Sequence, residues 1–268
     1  MSPPLGTLVA LRPEGSLPPL LCLPPASGSA FAYLALADIL PAGRPVYAIE
    51  APGYDDGQQP SDRLTTLSGG YLARLPDLGD GPRLLLGWSM GGMVAYDMAC
   101  QLAAAGQQVG AVILVDVMGP GTAQPAEPEE EVEAFLLELA GGGSAPPVSW
   151  DGVPDGATAD QLARHALRQL EQAGELPPEV EADFLASRFA VFHASVQALV
   201  GYRDVRHYPG TVTVIDSAGT PPEWHQGWER VAGAADRHVL PGDHYSIWQG
   251  ASLRAIADIV VRSIEAGG

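Results

Sequence analysis

Gly87-Trp88-Ser89-Met90-Gly91-Gly92 is the stretch whose reading decides the fold. It fits Gly-x-Ser-x-Gly, with the apolar run Leu84-Leu85-Leu86 before it and a helical pattern, Met93–Ala105, after it. A serine between strand and helix sits on a sharp, strained turn, and its hydroxyl projects above the sheet edge. Such a turn leaves little room for neighbouring side chains, so Gly87 and Gly91 let strand and helix approach, and Gly92 adds space. The helix starts at about Met90. Its positive end then sits beside Ser89, and the Met90 amide is placed to bind a developing oxyanion.

Outward from this turn, five apolar runs read as strands: Leu20–Leu23, Val46–Ile49, Leu84–Leu86, Val112–Val115 and Val212–Ile215. They are short and almost continuously Leu, Val or Ile, as strands covered on both faces are. Helical patterns fall over Phe31–Leu40, Leu64–Leu75 and Met93–Ala105, the last stopping at Gly106, and Leu253–Ile264 closes the chain. Alternation of strand and helix predicts an α/β fold, a mostly parallel sheet with helices on both faces.

One interval breaks the alternation. Between Asp116 and Val212 there is no strand pattern, only helical patterns at Val132–Leu139, Gln161–Ala173 and Pro178–Val200, with a Gly/Pro-rich loop over Gly141–Asp155. This predicts a helical lid, about 121–207, inserted over the catalytic edge of one domain spanning 1–268. Glu127, Glu129, Glu130, Glu131 and Glu133 read as a solvated charged face.

The formal net charge is −18, and every basic residue is an arginine. That acidity argues against nucleic acid and against an anionic membrane surface as partners. No run of about 18 uncharged apolar residues predicts a membrane span. The N-terminus lacks the pattern of a signal peptide. Cys22 and Cys100, the only cysteines, are expected as buried free thiols in a cytoplasmic protein, not as a disulfide or metal pair.

A serine nucleophile at neutral pH needs a base held by an acid. Six histidines compete. His165 and His193 fall on lid helices, His207 lies before a strand, and His238 begins one. His225, between Trp224 and Trp228, lines a pocket or packs. His244 lies in Pro241-Gly242-Asp243-His244, a tight loop between the strand-like Arg237–Leu240 and the last helix, where the base of a Ser…Asp…His order belongs. For the acid, Asp116 and Asp216 both end parallel strands at the edge where catalytic groups gather. Chain order does not choose between them. Asp243 adjoins His244 too closely for a good contact. The second oxyanion donor is expected after the first strand, in Leu23-Pro24-Pro25-Ala26-Ser27-Gly28. The prolines have no amide proton, so Ala26 is the first donor. Pro25, Trp88 and Trp248 are candidate pocket residues, and Trp224 is a further apolar candidate. No metal site is expected.

Gly87-Trp88-Ser89-Met90-Gly91-Gly92-Met93-Val94-Ala95-Tyr96, with Gln101-Leu102, resembles the terminal thioesterase domains of nonribosomal peptide synthetases, within the α/β-hydrolase superfamily. Pro45–Gly53, Leu8–Gly15 with Pro19–Cys22, and Ala198–Tyr202 through Tyr208–Gly210 are similar to the same domains. Pro241-Gly242-Asp243-His244-Tyr245 resembles the histidine loop of peptide and polyketide terminal thioesterases. The resemblance covers nearly the whole chain. Leu23 departs from it, since many relatives carry histidine there.

The resemblance implies Asp116 as the triad acid, because in these domains it follows the strand after the elbow helix, and it leaves Asp216 as the alternative. It implies release of a peptidyl or polyketide-peptide chain from an upstream carrier protein's phosphopantetheine thioester through acyl-Ser89, by hydrolysis or macrocyclisation, without a dissociable cofactor. Arg203 and Arg206, near the lid base, are candidate carrier contacts or ordinary solvated arginines. Two rivals stand beside this reading. One is a free-standing editing thioesterase or small-ester hydrolase using Asp216, to which Met1 at the domain's own start points. That Met1 equally fits an initiator before an excised domain. The other is a non-catalytic binding module of the same fold, disfavoured because serine, histidine and acid are all retained.

Overall fold

The computed structural model describes residues 3–79, 81–176 and 180–267. Seven strands form one sheet: β1 (Thr7–Arg12), β2 (Leu20–Leu23), β3 (Val46–Glu50), β4 (Arg83–Trp88), β5 (Val109–Val115), β6 (Tyr208–Ser217) and β7 (Ala232–Leu240), in the order β1-β3-β2-β4-β5-β6-β7. β1 pairs antiparallel with β3, Thr7 opposite Glu50. All other pairs are parallel, with Leu85 opposite both Leu21 and Val112.

Successive side chains of each strand go to opposite faces. Leu21, Leu85, Val112 and Val214 face α2 (Leu64–Leu72) and α3 (Met90–Ala104). Leu20, Leu84, Ile113 and Ile215 face α1 (Leu34–Ile39) and, on the same side, α8 (Gly250–Ala266). Both faces are covered, which is why the central strands read as unbroken apolar runs. β1 is half-exposed along its length and gives no such run, so it escapes the sequence reading. β6 and β7 extend well beyond their apolar cores.

Two helices differ from expectation. The pattern over Phe31–Leu40 splits into a 3-10 turn, Ala30–Tyr33, capped by Ser29 Oγ accepting from Phe31 N–H at 3.2 Å, followed by α1. α2 ends at Leu72, not Leu75, and Leu75–Leu78 is a 3-10 turn. Pro76 has no N–H to donate back to Leu72 O, so α2 does not run on through it.

Between β5 and β6 lie α4 (Pro128–Leu139), α5 (Ala159–Ala173) and α6 (Ala182–Gly201). They enclose their own apolar core, in which Phe135 meets Phe189 and Phe192 at centroid distances of 5.3 and 5.5 Å. Pro178, where a third lid helix is expected to start, lies outside the described residues. α6 is long and apolar enough to cross a membrane by length and composition alone. Here Phe189 and Phe192 go into the lid core, and Ala198 into the core beneath the sheet. The two chains joining lid to sheet meet at a neck, where Arg203 Nη1 donates to Gly121 O at 3.2 Å. A short helix, α7 (Trp228–Val231), precedes β7. Cys22 and Cys100 are free and buried.

Candidate active site

Ser89 is the residue between β4 and α3, with φ 55° and ψ −129°. This is a backbone region that side-chain-bearing residues rarely occupy, and such strain collects at functional sites. It is maintained by Ser89 N–H donating to Val115 O at 3.1 Å and by a lack of room nearby. A Cβ on Gly87 would lie 2.1 Å from Gly91 O, and one on Gly91 2.2 Å from Leu23 O. Only glycines let β4, α3 and the end of β2 converge so closely. Tyr33 fastens the same convergence: its hydroxyl donates to Leu23 O at 2.5 Å and accepts from Trp88 N–H at 3.0 Å. The sequence reading had no signal for Tyr33, because the bond spans elements distant in the chain.

The donors for an oxyanion are in place on either side. Met90 is the first residue of α3, so its amide has no intrahelical acceptor. Ala26 follows Pro24 and Pro25 in a turn closed by Gly28 N–H donating to Pro25 O at 2.9 Å. Pro25 itself is buried and does not line the neighbouring cavity. The next amide, Ser27, is taken by the carboxylate of Glu138 on α4 at 3.2 Å, leaving Ala26 as the free donor of this loop among the described residues.

Asp116 follows β5 and, at φ 47°, is the only other non-glycine residue with positive φ among those described. It is almost fully buried. His244 Nδ1 lies 2.6 Å from its Oδ2, and Thr220 Oγ1 donates to the same oxygen at 3.1 Å. Its Oδ1 accepts from Ser217 N–H at 2.7 Å and faces His225 Nε2 at 3.0 Å. Burial alone would raise the Asp116 pKa. The hydrogen bonds from His225, His244 and Ser217 outweigh it and hold the carboxyl far below the usual range. The group is therefore a permanent anion aimed at His244. Ser89 Oγ makes no hydrogen bond to His244 among the described residues. Such bonds commonly tighten only when substrate is bound.

Asp216 ends up elsewhere. It pairs with Arg237, and His225 Nδ1 lies 3.6 Å from its Oδ1. Burial raises its pKa despite the arginine, while the hydrogen bond of His244 Nδ1 goes to Asp116. Asp243 accepts from Tyr245 and Ser246 N–H at 3.0 and 2.8 Å, so it shapes the histidine loop. His225, which the sequence left between two roles, is buried between the two aspartates in the 3-10 turn Pro222–His225. Its neighbour Trp224 is half exposed and so does not belong to a buried pocket wall.

Trp88 and Trp248 do line one cavity, of about 420 Å³, together with Ser27, Tyr54, Glu138 and Tyr245. Trp88 stacks obliquely against the His244 ring at 5.1 Å and meets Trp248 edge-on at 5.7 Å. One further expectation needs correction: Glu131 is buried, not solvated, with His193 Nδ1 2.7 Å from its Oε1. Arg206 donates to buried Asp97 at 2.7 Å and Arg203 to Gly121 O at 3.2 Å, and both residues remain exposed. Of the remaining histidines, His165 Nε2 lies 3.1 Å from Ser149 O, His238 pairs with Asp236, and His207 is exposed.

An anionic acid, an imidazole held through Nδ1, a serine on a strained turn and two free amides form a set suited to acyl transfer through a serine ester. The sequence matches the thioesterase domain family over residues 18–265. It is similar to a non-reducing polyketide synthase of Cladonia grayi, at 35% identity over 264 residues covering 90% of this chain and 12% of that protein. The chain spans 12–13% of the length of the first curated relatives it matches. Among solved structures, holo-AB3403, a four-domain nonribosomal peptide synthetase bound to AMP and glycine, matches with a TM-score of 0.82 at 23% identity, over 97% of this chain and 20% of that one. BorB, a type II thioesterase from the borrelidin biosynthetic cluster, matches at 0.69 and 19%, over 96% and 97%. At these identities the structures speak for the fold, and the family match speaks for the chemistry. The chain belongs to the thioesterase domain family, as a serine-hydrolase thioesterase related to those of nonribosomal peptide and polyketide synthases.

Proposed function

We propose that this chain is a terminal thioesterase domain, which releases a peptidyl or polyketide-peptide chain from the phosphopantetheine thioester of a carrier protein. The observation that carries this reading is the contact of His244 Nδ1 with Asp116 Oδ2, and not with Asp216. An acid after β5 is the arrangement that the sequence resemblance associates with terminal domains. An acid after β6 would favour the free-standing editing type.

In this mechanism Ser89 Oγ attacks the thioester carbonyl while His244 Nε2 takes the hydroxyl proton. Asp116 holds the tautomer and stabilises the imidazolium. The amides of Met90 and Ala26 bind the oxyanion. The carbon–sulfur bond then breaks, and the imidazolium proton goes to the departing pantetheine thiolate. Ser89 is left as an acyl ester. Water, or an amine or hydroxyl of the same chain, gives its proton to His244 and attacks the ester, and Ser89 recovers the proton as it leaves. Access of water beneath the lid sets which nucleophile wins.

Intact mass spectrometry with a short peptidyl-pantetheine thioester tests the reading. An acyl adduct on Ser89 that is absent in Ser89→Ala and forms far more slowly in Asp116→Asn supports it, and the released mass separates acid from ring. A fluorophosphonate that labels Ser89 while no thioester acylates it points to an ester hydrolase. Absence of both reactions returns the binding-module reading.

A further inference from the structure

The cavity beside the triad contains one charge that the reaction does not use. Glu138 lies near the C-terminal end of α4 and faces inward. It accepts a hydrogen bond from Ser27 N–H at 3.2 Å, and the Ser27 side chain bonds to it as well. Among the described residues, no arginine lines the cavity with it. The surrounding walls are aromatic: Tyr54, Trp88, Tyr245 and Trp248. Three lining residues fix the cavity's relation to the chemistry. Ser27 follows the oxyanion donor Ala26, Trp88 precedes Ser89, and Tyr245 follows His244.

We propose that Glu138 and this aromatic wall bind a protonated amine on the acyl chain delivered to Ser89, so that the substrate class is amine-bearing acyl or peptidyl thioesters. A half-buried carboxylate facing apolar rings is poorly solvated, and a cation is the group that relieves it most. Ring faces attract the same cation through their quadrupoles. Neutral acyl groups gain from the rings but bring the carboxylate no counter-ion. The field of a chain with net charge −18 also favours a cationic over an anionic ligand at long range. Burial pushes the Glu138 pKa up, with Ser27 and His244 opposing.

This inference rests on the thioesterase reading, and the test keeps the two apart. Glu138→Gln retains an acceptor for Ser27 N–H and removes only the charge. Short ω-aminoacyl N-acetylcysteamine thioesters are compared with counterparts ending in methyl in place of ammonium. For the amines, kcat/KM should fall by about tenfold or more in Glu138→Gln, the scale of a lost charged hydrogen bond. For the methyl series it should stay within about twofold of wild type, the selectivity being the charge's alone. Equal losses in both series would make Glu138 a latch for the Ser27 loop and overturn the proposal. No change in either would overturn it as well. Binding of the matching ω-aminoacyl pantetheine amide, followed calorimetrically, needs no turnover. Weaker binding to Glu138→Gln than to wild type supports amine recognition, and equal binding overturns it, even where neither thioester acylates Ser89. Failure of acylation counts against the thioesterase reading alone.

Discussion

Asp116 is gripped on both oxygens, by His244 and Thr220 on one and by Ser217 and His225 on the other. Asp116→Asn keeps the shape and removes the anion, so kcat for acylation should fall by about 10⁴-fold, as loss of the anion does in other serine triads. Asp216→Asn should slow acylation far less, because Asp216 faces His225 and Arg237. Burst kinetics on the two variants separate the assignments, and an equal loss in both would undo them. His225→Leu strips a buried partner from Asp116 and leaves Asp216 with Arg237 alone. It should cost about 2 kcal/mol of stability, the scale of a lost hydrogen bond to a charged group, measured by urea unfolding. Ser89 was legible because the elbow is local: six consecutive residues carry the turn and its glycines. His244 was legible from its loop. The acid was legible only through the resemblance, because Asp116 and Asp216 both lie at the ends of neighbouring strands and chain order does not separate them. His225 and Glu138 stayed hidden for a related reason. Their partners come from other elements, and a single histidine or glutamate in sequence does not say whether it is solvated.

At the scale of elements, most of the sheet could be read from apolar runs covered on two faces, and β1, half-exposed at the edge, could not. The helices are joined through Asp97, buried on α3. It accepts from Ser68 Oγ on α2 at 2.5 Å, Gln101 Nε2 at 2.8 Å, and Tyr202 OH and Arg206 Nη2 beyond α6, both at 2.7 Å. Burial would raise its pKa, but these donors lower it below the usual carboxylate range. A lowered folded-state pKa adds stability that is present above the unfolded pKa of about 4 and is lost as pH falls through the folded value. Asp97→Asn should therefore be less stable than wild type at neutral pH. The difference should shrink as pH drops below about 4. Thermal melts across that window check it, and a pH-independent difference would mean that Asp97 has the same pKa folded and unfolded. Tyr33→Phe removes the bridge between Leu23 O and Trp88 N–H. A loss of about 1 kcal/mol, typical of a hydrogen bond, should appear in unfolding, accompanied by slower acylation because the oxyanion loop and the elbow are no longer fastened together.

For the whole molecule, the net charge of −18 means self-repulsion at neutral pH, which salt screens. Tm should rise between low and physiological ionic strength, and a flat or falling Tm would show that internal ion pairs outweigh the repulsion. Composition made this visible at once, along with the lid as an all-helical interval. Composition did not show that the lid has a core of its own, since α4, α5 and α6 spend their apolar faces on one another. The neck between Gly121 and Arg203 has a consequence for how such a protein can diversify. An insert whose two ends lie side by side imposes no spacing on its host. Its length and helix count can change freely, provided that the returning chain brings Tyr202 and Arg206 back to Asp97. The sheet with its triad then behaves as a socket, and the helical insert as an exchangeable part.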